Sequence, residues 1–107
     1  MLNDTFYVMR DIKNEYKETG VTATKTGEAI NPGRICNVRV DVEGLEGDTT
    51  LSIKFEQSAD GETWDEIGTF PIPDAHHGVL FANFKKYVRY QLIVGGTNPN
   101  MDVTLYF

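Results

Sequence analysis

Apolar and polar residues alternate along most of this chain, and the clearest alternation lies in the segment 34–43. The apolar positions of that segment would share one face of an extended strand: Cys36, Val38, Val40 and Val42. A period of two residues is typical of a strand that is buried on one side and solvated on the other. The segment therefore predicts a half-buried strand whose apolar face helps to build a core.

A second alternating stretch predicts a β-hairpin. Leu51, Ile53 and Phe55 alternate with polar residues, and residues 64–70 carry the returning strand. Between the two strands, the Asp-Gly pair at 60–61 predicts a tight turn, because glycine adopts a positive φ angle without steric cost.

Five further segments are interpreted as strands. Their ranges are 4–12, 21–26, 79–82, 87–94 and 101–107. The segment 87–94 carries apolar residues on both faces, so we expect it at the centre of a sheet; the segment 4–12 also carries them on both faces. Loops or turns are predicted at 13–20, 27–33, 44–49, 71–78 and 95–100, most of them rich in glycine, proline or asparagine.

About eight short strands, separated by turns and with no segment of helical period, predict an all-β antiparallel fold. The architectures that fit are a β-sandwich, a jelly roll or a small barrel. A length of 107 residues suits one domain spanning 1–107, in which residues 1–13 would form an arm or an edge strand used in assembly. The expected markers of the core are Val38, Val40, Phe55, Trp64, Tyr90 and Leu92.

The charge balance argues against nucleic acid as a partner. Ten Lys and Arg face sixteen Asp and Glu, a net charge of −6, whereas nucleic-acid binding depends on clustered positive charge. The nearest basic group, Lys85-Lys86 with Arg89, is interpreted as a local ion-pairing patch. No apolar run approaches the roughly 18 residues of a membrane span, and the first residues lack the pattern of a secretion signal, so we expect synthesis and folding in the cytoplasm.

The candidate reactive groups do not form a catalytic pattern. Adjacent residues of an extended segment point apart, so His76-His77 is a poor zinc pair, and the acids around Asp60 lack the spacing of a calcium loop. Cys36 lies on the apolar face of its strand and is interpreted as a buried core residue. The serines are not in a nucleophile elbow and no phosphate-binding loop is present, so we expect neither an enzyme nor a bound metal or cofactor.

The aromatic residues leave one binding alternative open. Tyr7, Tyr87 and Tyr106 are out of phase with the main apolar face of their strands, and such rings could form a platform on which a sugar stacks. Trp64 and Tyr90 are in phase with apolar neighbours, which favours core packing for both.

Several stretches of the chain together resemble one family. These are FEQSADGETW, IGTFP and FANFKKYVRYQLIVGGTNP, with the opening DTFYV and the strand VRVDVEG. They are similar to the small virion proteins of tailed bacteriophages, of the capsid decoration or cement type represented by the Bbp16-like jelly-roll family. The resemblance covers most of the chain but transfers no functional residue to it.

The resemblance implies a non-enzymatic structural protein of the virion that stabilises the head by binding between subunits of the major capsid protein. It also implies a homo-oligomer, a dimer or a trimer. Apolar residues on both faces of a strand need a partner to cover them. The expected assembly contacts are therefore Phe6, Tyr7, Val8, Met9 and Tyr87. The alternative function is a carbohydrate- or cell-surface-binding β-sandwich module of a phage tail or baseplate.

Overall fold

The structure, a computed structural model, describes residues 15–107, which fold into two antiparallel four-stranded sheets. The eight strands, in chain order, are β1 (Glu15–Val21), β2 (Lys25–Thr26), β3 (Ile35–Glu43), β4 (Thr50–Ser58), β5 (Asp65–Pro71), β6 (His76–Ala82), β7 (Tyr87–Gly95) and β8 (Met101–Tyr106). The first sheet has the order β1-β8-β3-β6, and the second sheet has the order β2-β7-β4-β5.

The path of the chain between the sheets is that of a jelly roll. Successive strands pass from one sheet to the other, except for β4 and β5, which pair as a hairpin. Eight antiparallel strands in two such sheets make the double Greek key of this fold. The predicted fold class, an all-β antiparallel sandwich of about eight short strands, is confirmed.

The core fills the space between the two sheets. Strand β3 alternates buried and outward positions along its whole length, and β4 and β7 do so along most of theirs. Phe55 lies at the centre of the aromatic packing, with its ring centroid 4.5 Å from that of Phe81 and 5.9 Å from that of Phe70. Five of the six expected core markers are fully buried or nearly so: Val38, Val40, Phe55, Tyr90 and Leu92.

Tyr90 links the two sheets at one side of the sandwich. Its hydroxyl donates a hydrogen bond to Oε2 of Glu18, on the other sheet, at 2.7 Å. Burial, followed by this carboxylate, raises the pKa of Tyr90 well above the usual range. A Cβ atom at Gly27 would overlap the Tyr90 ring, so only glycine allows the chain to cross there.

Trp64 was predicted to pack in the core, and this prediction is wrong. It lies outside the core cluster and is half-buried, with the guanidinium carbon of Arg89 4.3 Å from its ring centroid. The residue comes just before β5, which begins at Asp65, so the alternation of that strand does not turn its side chain inward. A cation–π contact shields one face of the ring instead.

The first strand also differs from its prediction. Residues 13–20 were expected to form a loop, but β1 begins at Glu15 and pairs with β8. The sequence of β1 does not show the alternation of a strand, because only Tyr16 and Val21 are buried in it. A register shift between Glu18 and Val21 also breaks the period of two. The segment predicted as a strand at 4–12 lies outside the described residues.

Other predicted strand and loop boundaries differ from the observed ones by a few residues. Of the strand predicted at 21–26, only Lys25 and Thr26 form β2. The loop predicted at 71–78 is shorter, because β6 already begins at His76 and pairs with β3 in continuous register. Pro71 ends β5, an edge strand, where a missing N–H removes no bond of a central ladder.

The turn at Asp60-Gly61 forms as predicted and is closed by side-chain hydrogen bonds. Oδ1 of Asp60 accepts the backbone N–H groups of Glu62 at 2.8 Å and Thr63 at 2.9 Å, and Gly61 has a φ of 80°. The buried Ser58 hydroxyl also donates to this carboxylate, at 2.9 Å. The N–H groups of Thr63 and Glu62, followed by the Ser58 hydroxyl, lower the pKa of Asp60 to about 2.

Replacing Asp60 by Asn is expected to lower the free energy of unfolding at neutral pH. An aspartate in an unfolded chain has a pKa near 3.9, so the lowered pKa of Asp60 gives stability that is present above about pH 4 and lost as the pH falls towards 2. The difference between wild type and Asp60→Asn in urea unfolding should therefore shrink over that interval. Glu62→Gln removes the same charge from the same turn without these bonds and is the control; a difference independent of pH would contradict this interpretation.

Candidate functional site

An exposed apolar patch lies on the outer face of the first sheet, where β3 and β6 meet. Ile35 is 73% exposed, Leu80 is 69% exposed and Phe84, just after β6, is 75% exposed. Ile35 pairs with Ala82, and Leu80 pairs with Asn37 one step further along, so these side chains lie on one face of adjacent strands. Phe84 lies two residues beyond Ala82, past the end of β6. We call the exposed residues Ile35, Leu80, Ala82 and Phe84 the apolar patch.

Phe84 is held in its exposed position by the residue before it. Asn83 is completely buried; its backbone N–H donates to the carbonyl of Arg34 at 2.6 Å and its Nδ2 donates to the carbonyl of Lys85 at 2.6 Å. The N–H of Phe84 donates to Oε1 of Gln57 at 2.9 Å. The backbone on both sides of Phe84 is thus fixed, so a partner would not have to order this segment on binding.

The other half of the same face is polar and forms a groove. One residue from each of the four strands lies in register across this groove: Lys17 of β1, Thr104 of β8, Asp41 of β3 and His76 of β6. Nδ1 of His76 lies 2.9 Å from Oδ1 of Asp41, and Arg39 donates to the same carboxylate at 3.1 Å. These contacts, the His76 hydrogen bond first, lower the pKa of Asp41. The groove has a volume of about 380 Å³.

Tyr106 lines this groove but has one covered face. The guanidinium carbon of Arg39 lies 4.3 Å from its ring centroid, in a cation–π contact. A sugar could therefore stack on this ring only from its other side or by displacing Arg39.

The basic residues predicted as an ion-pairing patch are engaged with acids. Lys85 forms an ion pair with Asp65, and Nε of Arg89 donates to Oε1 of Glu56 at 2.9 Å. These pairs connect neighbouring strands of the second sheet and the turn before β7. Since both cations already have carboxylate partners, the cluster does not offer a row of positive charge for phosphates.

Of the predicted assembly contacts, only Tyr87 falls among the described residues. Phe6, Tyr7, Val8 and Met9 lie outside the described residues. Tyr87 begins β7 in the second sheet and is half-buried, with Nζ of Lys86 5.2 Å from its ring centroid.

The sequence contains a signal for the patch in apolar residues that are out of phase with the buried face of their strands. Ile35 is out of phase with the buried face of β3, and Leu80 is out of phase with Val79 and Phe81 on β6. Phe84 stands between a buried asparagine and two lysines. Apolar residues at outward positions are the pattern to search for when a β protein has an interface.

Cys36 is a core residue, as predicted. Its side chain is buried, and its thiol donates weak hydrogen bonds to Oδ1 of Asn83 at 3.7 Å and to the carbonyl of Gly33 at 3.9 Å. Burial raises the pKa of the Cys36 thiol to about 11. A thiol in this state is a poor nucleophile, because the thiolate is the reactive form.

The folded protein should therefore react with Ellman's reagent at pH 8 at least about a hundredfold more slowly than free cysteine, since both burial and the raised pKa suppress the reaction. The same chain in guanidinium chloride is the control and should react at the rate of free cysteine. Rapid reaction of the folded chain would contradict the buried position of Cys36.

Features of the described residues and comparisons with known proteins both bear on function. Within residues 15–107, no three His, Cys, Asp or Glu side chains lie close enough together to hold a metal ion. The same part of the chain contains no helix with the length and apolar character needed to cross a membrane. The chain matches no protein-family model, and no curated protein sequence matches it.

Proposed function

We propose that this chain is a non-enzymatic structural protein of a bacteriophage virion, a capsid decoration protein that binds between subunits of the major capsid protein and stabilises the head. The observation that carries the proposal is the apolar patch. An exposed cluster of large apolar side chains on a small, charged domain is typical of a protein–protein interface. The resemblance described above supplies the class of partner, and the jelly-roll fold agrees with it.

The patch has the properties of an interface centre. Complete burial of a Leu, Ile or Phe side chain contributes about 1.5–3 kcal/mol, so three such residues offer a substantial part of a specific binding free energy. Phe84 is held by a rigid backbone, which reduces the entropy lost on binding. Aromatic residues near the centre of an interface often dominate its energetics.

The rest of the surface supports assembly over catalysis. Several charged groups of the outer faces pair with one another, as in Asp41 with His76 and Glu56 with Arg89. Groups paired in this way position strands and side chains. An active site needs titratable groups that converge on a substrate, whereas each of these pairs connects two neighbouring strands.

The proposal predicts that Phe84→Asp and Ile35→Asp weaken binding to capsids. A charge at the centre of an apolar contact should reduce the affinity by about tenfold or more, because a buried aspartate would lack a partner. The measurement is co-sedimentation of purified protein with empty heads assembled from the major capsid protein of the phage that carries this sequence. Thr69→Asp, an exposed position on β5 of the second sheet, is the matched control. Wild-type affinity in both patch variants would remove the patch from the proposed interface.

A carbohydrate-binding module remains the second candidate, supported by the groove beside Tyr106 and its polar lining. The contact of Arg39 with Tyr106 favours the first candidate, because it occupies one stacking face. We expect the wild-type chain to pass through columns of immobilised host-surface glycans without retention. Retention that Tyr106→Ala abolishes and Phe84→Asp leaves unchanged would instead establish the second candidate.

A further inference from the structure

Four strands of the described part of the chain lie at sheet edges, and three of them carry features that hinder pairing with another strand. β1 contains charged residues and a register shift, β2 has two residues, and β5 carries Asp65, Glu66 and Pro71. Charges, irregular register, short length and proline all protect an edge from adding a further strand. We therefore do not expect these three edges to add a further strand.

The fourth edge, β6, has none of these features. Its seven residues, HHGVLFA, contain no Asp, Glu, Lys, Arg or Pro, and they pair with β3 without a break in register. No strand within residues 15–107 pairs with its outer side. An edge strand of this length and regularity can extend its sheet by adding another strand.

The register determines which backbone groups of β6 point outward. Hydrogen-bonded pairs alternate along an antiparallel ladder, and the N–H of Val42 donates to the carbonyl of Ala75 at 2.8 Å while that of Asn83 donates to the carbonyl of Arg34 at 2.6 Å. The odd-numbered residues of β6 therefore bond to β3. The N–H and C=O groups of the even-numbered residues face the open edge: His76, Gly78, Leu80 and Ala82.

This set of groups is complementary to itself. When two copies of β6 run antiparallel about a two-fold axis at Val79, His76 of one copy is opposite Ala82 of the other, and Gly78 is opposite Leu80. Every outward N–H and C=O then has a partner in an ordinary antiparallel ladder. Glycine opposite Leu80 also leaves room for the leucine side chain.

The strand carries no like charges that would oppose this arrangement. Its residues include two histidines and no Asp, Glu, Lys or Arg. The Asp41 carboxylate beside His76 is also paired with Arg39. Two chains of net charge −6 can therefore meet along an edge strand that has no carboxylate of its own.

We propose that β6 pairs with β6 of a second copy, so that the two first sheets become one continuous eight-stranded sheet in a two-fold dimer. The side chains of Ile35 and Leu80 stay on the outer face in this dimer, and Phe84 follows the end of β6. The two apolar patches then lie side by side as one larger surface. This inference deepens the proposed function, because the joined patch is the surface that would contact the capsid, but it can be tested on the purified protein alone.

Sedimentation velocity of the full chain should show twice the 12.0 kDa of one chain at about 0.1 mM and the monomer on dilution, since association follows mass action. Leu80→Pro removes an outward N–H without breaking a bond to β3 and should leave a folded monomer. Thr69→Pro is the matched control. The bond from the N–H of Ile72 to the carbonyl of Leu51 places the N–H of Thr69 on the outer side of β5, so this variant should remain a dimer. A monomeric wild type, or a dimer that persists in Leu80→Pro, would overturn the proposal.

Hydrogen exchange of the wild type gives a test that does not depend on the folding of a variant. The amides of Gly78, Leu80 and Ala82 should exchange slowly at high protein concentration and at least about tenfold faster on dilution. Slow exchange at every concentration would mean that residues of the same chain cover the edge, and fast exchange at every concentration would mean that nothing covers it. Either result would overturn the proposal. Gly78→Pro also removes an outward N–H of β6, at a position with open space around its side chain, and leaves every residue of the apolar patch in place. Binding of Gly78→Pro monomers to heads would separate this failure from a failure of the proposed function, because the patch would then act without the dimer.

Discussion

The alternation of side chains between the two faces of a strand is the constraint on which the rest of this structure depends. Each strand can give the core only every second residue, and each residue between them must face solvent or a partner. In β3 the inward set is completely apolar, whereas the outward set runs from Ile35 at one end to the charged Arg39 and Asp41 further along. The core and the interaction surface are therefore two faces of the same strands.

The same constraint explains how much of the fold could be predicted from the sequence. Strand β3 keeps a regular period over its nine residues, β4 and β7 keep one over most of theirs, and all three were located with small errors at their ends. β1 was missed, because a polar edge strand with a register shift has two buried residues and no regular period. An edge strand buries little, so its sequence contains little information about its structure.

The candidate site was less predictable for a different physical reason. Periodicity identifies the residues that share a buried face, but it assigns no role to an apolar residue on the opposite face. Leu80 lies between the buried Val79 and Phe81, and no pattern within its own strand separates an interface leucine from an incidental one. Leu80 forms a patch only together with Ile35, which is distant in sequence and becomes a neighbour through the pairing of β3 with β6. The same holds for Trp64, whose environment is set by Arg89 on another strand.

Asn83 links the core to the exposed surface, because its side chain bonds both to Cys36 in the core and to the backbone beside Phe84. A buried amide normally costs free energy unless it is hydrogen-bonded, and this one meets that requirement with the carbonyl of Lys85 and the thiol of Cys36. Those bonds fix the backbone that presents Phe84 to solvent. The backbone that carries Phe84 is held by hydrogen bonds on both sides, and the side chain is 75% exposed. A patch held open in this way, on a domain whose net charge of −6 opposes unspecific aggregation, favours contact with one complementary surface over contact with many.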